Sequence, residues 1–212
     1  MIPIAADGWP YLWKLAGATL ALYLVGWEAL AWIAAGLTVF TAFFFRDPDR
    51  EVPPDRSLVV SPADGRVLRV EHLEHEEFLG GPAVRISIFL SLFNVHVNRS
   101  PITGTVRCQR YRAGKMLPAF KPHASELNER NTIGIEGEHI RAVVHQITGL
   151  LARRIVCRAG PGTRLARGQR FGMIKFGSCT ELLLPEGVEV LVREGERVRG
   201  GASAVARIRR EA

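Results

Sequence analysis

Val84-Arg85-Ile86-Ser87-Ile88-Phe89 decides the fold class of this chain, because an apolar side chain at every second position is the period of a strand with one buried face. Working outward, Leu58-Val59-Val60, Arg66-Val67-Leu68-Arg69-Val70, Thr105-Val106-Arg107-Cys108 and Ile140-Arg141-Ala142-Val143-Val144 are further short runs that alternate or carry β-branched residues between glycine and proline breaks. The chain beyond Arg46 is therefore mainly β, a barrel or sandwich with few short helices. From Gly149 to Arg158 the spacing of Leu150, Leu151, Ile155 and Val156 predicts one such helix.

An internal repeat supports this architecture. Gly162-Thr163-Arg164-Leu165-Ala166-Arg167-Gly168 matches Gly195-Glu196-Arg197-Val198-Arg199-Gly200-Gly201 as Gly-x-Arg-aliphatic-x-x-Gly, and each copy reads as a hairpin with glycines at its turns. Such lipoyl-like hairpins also build carrier domains, which need a modifiable lysine at an exposed tip. Lys175 is the nearest lysine, and it lies inside the expected strand Phe171 to Phe176 rather than at a turn.

Charge divides the chain near Arg46. From Leu15 to Phe45 the only charged residue is Glu28, whereas Arg46 to Ala212 holds 27 of the 28 basic and 19 of the 21 acidic residues. Residues 1–45 form one segment and residues 46–212 a second domain, which the proline-rich stretch Asp47 to Pro54 opens. Leu15 to Phe45 as one helix would reach about 46 Å, more than the roughly 30 Å of a hydrocarbon layer. Two shorter helices, Leu15 to Trp27 and Ala29 to Phe45, are expected as a hydrophobic membrane hairpin. Trp9, Tyr11, Trp13, Trp27 and Trp32 supply interfacial aromatics, and Arg46, Arg50 and Arg56 hold the rest at the cytoplasmic face of a cell membrane.

The cysteines Cys108, Cys157 and Cys179 have neither an even count nor metal-ligand spacing, so no disulfide framework and no metal site is expected. A net charge of +7 draws the chain toward phosphates, but no helix-turn-helix, zinc-finger or ribonucleoprotein pattern accompanies it, and nucleic acid leaves the apolar segment unexplained. An anionic membrane surface explains both.

Gly177-Ser178, within Phe171-Gly172-Met173-Ile174-Lys175-Phe176-Gly177-Ser178-Cys179, carries the chemistry. A serine hydroxyl can attack a preceding glycine carbonyl with little hindrance, turning the amide into an ester. Elimination then divides the chain after Gly177 and leaves a pyruvoyl group at residue 178, able to form a Schiff base with a substrate amine and to accept the electrons of decarboxylation. No PLP or metal is required. A base must lie near Ser178, and His96, in Phe93-Asn94-Val95-His96-Val97-Asn98-Arg99, is the candidate; Asp64, in the tight turn Ser61-Pro62-Ala63-Asp64-Gly65, is the acid that supports it. An intact serine hydrolase is disfavoured because Gly-x-Ser-x-Gly is absent around Ser178.

Ser61 to Gly65, the run Ile88 to Pro101, Asn128-Glu129-Arg130-Asn131, Leu151 to Cys157 and Arg170 to Ser178 together resemble the short-form phosphatidylserine decarboxylase proenzymes, over nearly all of the chain after Arg46. The resemblance implies a β chain of residues 1–177, an associated α chain beginning at pyruvoyl Ser178, and a charge-relay triad of Asp64, His96 and Ser178. It also implies phosphatidylserine as substrate and phosphatidylethanolamine and CO2 as products; given that substrate, the basic residues Arg112 and Lys115, near Arg110 and Lys121, are expected as contacts to the lipid phosphate. A homo-oligomer is compatible with it. Two positions depart from longer members: Cys179 stands where they show threonine, and Phe93 where they carry a second histidine. The proton donor in decarboxylation is therefore open among His96, a water, His123 and His145.

Overall fold

The computed structural model describes residues 3–118, 124–149, 154–175 and 178–209, and they fall into two compact units, 1–49 and 50–212. The first is a helical pair, α1 (Trp9–Leu24) and α2 (Glu28–Phe44), reversed through Val25, Gly26 and Trp27. Gly26 takes φ +81°, a left-handed conformation that closes α1 as glycine does at many helix ends. The helices are 16 and 17 residues long, and no helix among the described residues is long and apolar enough to cross a membrane. Their surface is apolar all the same: Trp13, Leu24, Trp27, Trp32 and Val39 are exposed.

The second unit is mainly β. Its strands are β1 (Leu58–Val60), β2 (Gly65–Glu76), β3 (Gly81–Leu90), β4 (Val97–Arg99), β5 (Gly104–Arg112), β6 (Arg130–Glu136), β7 (Arg141–Thr148), β8 (Arg154–Cys157), β9 (Arg164–Leu165), β10 (Arg170–Lys175), β11 (Ser178–Pro185), β12 (Glu189–Val190), β13 (Arg197–Val198) and β14 (Ala204–Arg207), with one short helix, α3 (Ala124–Leu127). Eight form a curled antiparallel sheet in the order β13-β2-β3-β11-β7-β6-β5-β9. The sheets β1-β14-β12 and β4-β10-β8 complete the unit.

The register relates the two halves of this sheet by a pseudo-twofold about the β11/β7 pair, which exchanges β13, β2 and β3 with β9, β5 and β6. Leu182 opposite Val144 marks the centre. From there, Glu181 opposite Ser87 has the counterpart Val143 opposite Gly134, and Phe89 opposite Arg66 has the counterpart Glu136 opposite Thr105. Even the bulges correspond, between Val67 and Arg69 in β2 and between Val106 and Cys108 in β5. The Gly-x-Arg repeat supplies the outer strands: Gly162, Gly168, Gly195 and Gly201 all adopt positive φ, and β9 and β13 lie between them. Gly162 donates its N–H to Val106 O, and Gly195 donates to Val67 O, each at 2.8 Å.

Alternation decides what each strand buries. Val67, Ile86, Ile88, Leu90, Ile133, Ile135, Val144, Leu182 and Leu184 share the inner face with Val59, Phe171 and Val205 in one core, each large side chain contributing about 1.5–3 kcal/mol. The mainly β expectation holds as a curled half-barrel, in which β13 and β9 end the sheet without pairing to each other among the described residues. One expectation is corrected. Arg154 to Cys157 is a strand rather than part of a helix, since β-branched Ile155 and Val156 pair with Ile174 and Met173 of β10; residues 150–153 of that expected helix lie outside the described residues.

Candidate active site

Ser178 opens β11, opposite Leu90 on one side and Thr148 on the other. It is fully buried, and its Oγ has no hydrogen-bond partner among the described residues. A buried hydroxyl without a partner is costly and uncommon, so this atom is held for something other than stability. Gly177 lies outside the described residues.

Asp64 comes to the same end of the sheet. Gly65, the next residue, begins β2 so close to β3 that a Cβ on it would sit 2.2 Å from Phe89 O, and Phe89 is opposite Cys179. The Asp64 carboxylate accepts from Gly200 N at 2.8 Å and from Arg50 Nη2 at 2.7 Å, and the side chain is 13% exposed. Ser61 Oγ closes the turn on Ala63 O at 2.7 Å.

His96 enters through β4. Its carbonyl accepts from Ile174 N at 3.2 Å, which ties it to β10, the strand that leads to Ser178, and the ring is fully buried. Nδ1 lies 2.9 Å from Asn94 O. A carbonyl only accepts, so Nδ1 carries the proton and Nε2 is the basic nitrogen of the neutral ring. The Asn94 carbonyl thus fixes this tautomer.

A ladder of buried amides ties these elements together, and the sequence reading missed it. Asn98 Nδ2 donates to Thr180 Oγ1 at 3.1 Å, Gln146 Nε2 to Asn98 Oδ1 at 2.9 Å, and Asn131 Nδ2 to Gln146 Oε1 at 2.9 Å. It spans β4, β11, β7 and β6 and fixes the β4 end beside Thr180, two residues from Ser178. The available signal was Thr180 and Gln146 on an otherwise apolar buried face.

The outer face of the same strands is polar. Thr132, His145, Glu181 and Ser87 form one cross-strand row, with Thr132 Oγ1 2.9 Å from His145 Nδ1 and Ser87 Oγ donating to Glu181 Oε1 at 3.2 Å. Burial first, then Arg130, Arg85 and Arg112, lowers the pKa of His145 to about 3, so it stands neutral. Burial raises the Glu181 carboxyl against the opposing pull of Arg85, and its Oε2 has no hydrogen-bond partner within ordinary geometry among the described residues. Burial also holds the Cys179 thiol well above its ordinary range, which makes it a core residue rather than a nucleophile.

Arg112 ends β5 and donates through Nη2 to the carbonyls of Ser125 and Glu126. Lys115 is exposed, its backbone bonded to Leu127 and Glu129. Phe93 is 70% exposed. Lys175 is buried in β10, as its strand position required. Lys121 and His123 lie outside the described residues.

A family model described as phosphatidylserine decarboxylase matches residues 37–206. A phosphatidylserine decarboxylase proenzyme of Carboxydothermus hydrogenoformans is 56% identical over 174 residues, 82% of this chain and 82% of that protein. A proenzyme of the same name from Symbiobacterium thermophilum is 49% identical over 207 residues, 97% of this chain and 95% of its own length. One from Cereibacter sphaeroides is 46% identical over 210 residues, covering 96% and 89%.

Proposed function

This chain belongs to the phosphatidylserine decarboxylase family, and from that premise we propose that it cuts itself between Gly177 and Ser178 to become a pyruvoyl-dependent carboxy-lyase. The observation that carries the proposal is the buried Ser178 Oγ at the first residue of β11, without a hydrogen-bond partner among the described residues. No hydrogen bond has to be broken before it attacks.

Ser178 Oγ adds to the Gly177 carbonyl, and the amide opens to an ester with release of the Ser178 amine. His96 removes the Ser178 α-proton through Nε2, the basic nitrogen left by the Nδ1 contact to Asn94. Elimination expels the Gly177 carboxylate, and the remaining enamine takes up water and loses ammonia. Asp64, whose carboxylate accepts from Arg50 and Gly200 N, completes the triad by offsetting the positive charge that His96 acquires. The pyruvoyl ketone so formed supplies an electron sink for loss of CO2 from phosphatidylserine, leaving phosphatidylethanolamine. His96 returns the proton to the product carbon, Phe93 standing where longer relatives carry another histidine.

The substrate is a membrane lipid, and the helical pair is placed at the cytoplasmic face of the cell membrane. Exposed Trp13, Leu24, Trp27 and Trp32 support this, as does a helix length of about 24–26 Å, which suits a hairpin dipping into the lipid rather than a span. Arg112 and Lys115 face the headgroup phosphate.

Intact-mass measurement of the expressed chain tests the proposal. Two polypeptides, 1–177 and 178–212, are expected, the smaller with a blocked N-terminus that borohydride fixes to an added amine. Ser178→Ala stays whole, and His96→Ala splits at least a hundredfold more slowly. An active wild-type enzyme found as one uncut chain overturns the proposal.

A further inference from the structure

We propose that Arg130 and Arg112, standing side by side at the end of the sheet where Ser178 lies, form an anion subsite that takes the phosphodiester of the lipid headgroup. The inference rests on the decarboxylase reading and deepens it.

Register places the pair. Arg130, the first residue of β6, is directly opposite Arg112, the last of β5, so both side chains leave the same face with Cβ atoms about 5 Å apart. Arg130 is opposite Ile147 and Ile147 is opposite Cys179, which puts the pair one residue in from the level of Ser178. Like charges directly opposed on neighbouring strands are destabilising, and the fold supplies its own control. The pseudo-twofold turns Arg130 and Arg112 into Ala83 and Leu73, which pair in the same way at the other end. The architecture is satisfied there by two apolar residues; arginines are a requirement of this end alone.

The charge is not neutralised locally. Arg130 is half-buried and makes no hydrogen bond or ion pair through its guanidinium with a described residue. Arg112 is fixed by the carbonyls of Ser125 and Glu126, which orient a guanidinium without cancelling it. Glu181 and Glu126 feel Arg130 electrostatically, yet neither pairs with it, and Arg85 of the same cluster is engaged by Glu71 at 2.9 Å. The surplus positive field is strong enough to help keep His145 neutral. Two adjacent guanidinium forks match the oxygens of a phosphate, which in a serine headgroup is only a few bonds from the amine that must reach residue 178. The headgroup would turn around the rim of the sheet, its amine toward Ser178 and its phosphate on the outer face.

The test uses the full-length enzyme with Arg130→Gln and Arg112→Gln, mixed micelles of phosphatidylserine, and inorganic phosphate as a competitor. Each variant is expected to split at the wild-type rate, to raise KM for the lipid about tenfold to a hundredfold with a smaller change in kcat, and to lose competition by phosphate. Arg130→Lys should restore part of the KM. Unchanged KM in both glutamine variants overturns the proposal. Loss of phosphate competition with unchanged lipid KM also overturns it, because the site then takes free phosphate rather than the headgroup. Should Arg130→Gln fail to fold, the exposed position 112 reads the same contrast. An uncut, active wild type would instead sink the decarboxylase reading, and phosphate binding to that chain by calorimetry, with and without Arg130, would still decide the subsite.

Discussion

The two ends of the eight-stranded sheet are built alike and equipped differently. At one end the turn Ser61-Pro62-Ala63-Asp64-Gly65 leads into β2; at the other Ser100-Pro101-Ile102-Thr103-Gly104 leads into β5. Both serine hydroxyls donate to the carbonyl two residues on, at 2.7 Å. Gly201 N binds Ser61 O, and Gly168 N binds Ser100 O. Gly200 N reaches Asp64 Oδ1, and Arg167 N reaches Thr103 Oγ1. A hydroxyl therefore suffices to cap this loop. The carboxylate of Asp64 and its partner Arg50 exceed what the loop needs, and they occur at the end that also holds Ser178, Arg112 and Arg130. What the twofold repeats serves the fold, and the departures from it gather at the end where the proposed chemistry lies.

The sharpest way to break the comparison is to remove the charge from one turn and the hydroxyl from the other. Asp64→Asn is expected to slow chain splitting by about 10²–10⁴-fold, while Thr103→Val leaves the rate intact and costs about 1 kcal/mol of stability. Mass spectrometry over time and urea unfolding read the two effects, and equal splitting rates would remove Asp64 from the chemistry.

Next in size is the buried pair Glu181 and His145, whose counterparts are Val143 and Leu183. His145 falls from its ordinary 6.5 to about 3, so below pH 6.5 the unfolded chain takes up the proton that the folded chain refuses. Its contribution is complete above pH 6.5 and is lost as pH falls toward 3, by up to about 1.4 kcal/mol per pH unit. Glu181 has the opposite sign: with its pKa raised, its contribution is present below pH 4.5 and is lost as pH rises through the folded value. The double variant Glu181→Val, His145→Leu should flatten both limbs of a urea-unfolding series against pH. A slope unchanged below pH 6.5 would show that His145 does not set it.

Smaller effects are expected where the two ends agree. Gly65→Ala and Gly104→Ala place a methyl 2.2 Å from Phe89 O and 2.5 Å from Glu136 O, and each should cost about 1–3 kcal/mol. Only Gly65→Ala should also delay splitting. Gly162→Ala and Gly195→Ala meet no close neighbour, leaving the strain of φ near +87° and +86°, about 1 kcal/mol each by thermal unfolding. A marked difference between these last two would break the equivalence of the outer hairpins.

The strands were legible because Val84 to Phe89 and its neighbours alternate, and Ile155 and Val156 were misread because four β-branched or apolar residues in ten fit a helix until a partner strand is known. The Gly-x-Arg repeat was legible too. Its companion, Ser-Pro-x-x-Gly-x-Val at 61–67 and 100–106, is equally present in the letters, but the two repeats have different spacings and become one symmetry only through hydrogen-bonded register. Ser178, Asp64 and His96 were picked from chemistry and resemblance. Asn98, Gln146 and Asn131 were not, since only Gln146 and Thr180 stand out along their own strands and the link across four strands appears only in the pairing. The opposition of Arg130 and Arg112, separated by 18 residues, follows only from pairing.

The position of β11 bears on how this molecule is made and lost. It is hydrogen-bonded to β3 through eight residue pairs and to β7 through six, in the middle of the sheet. A fragment released there by cleavage begins life already woven in on both sides, so separation would demand unravelling the whole domain. Fragments 1–177 and 178–212 produced in different cells and then mixed are therefore expected not to form working catalyst, which an assay of the mixture would check.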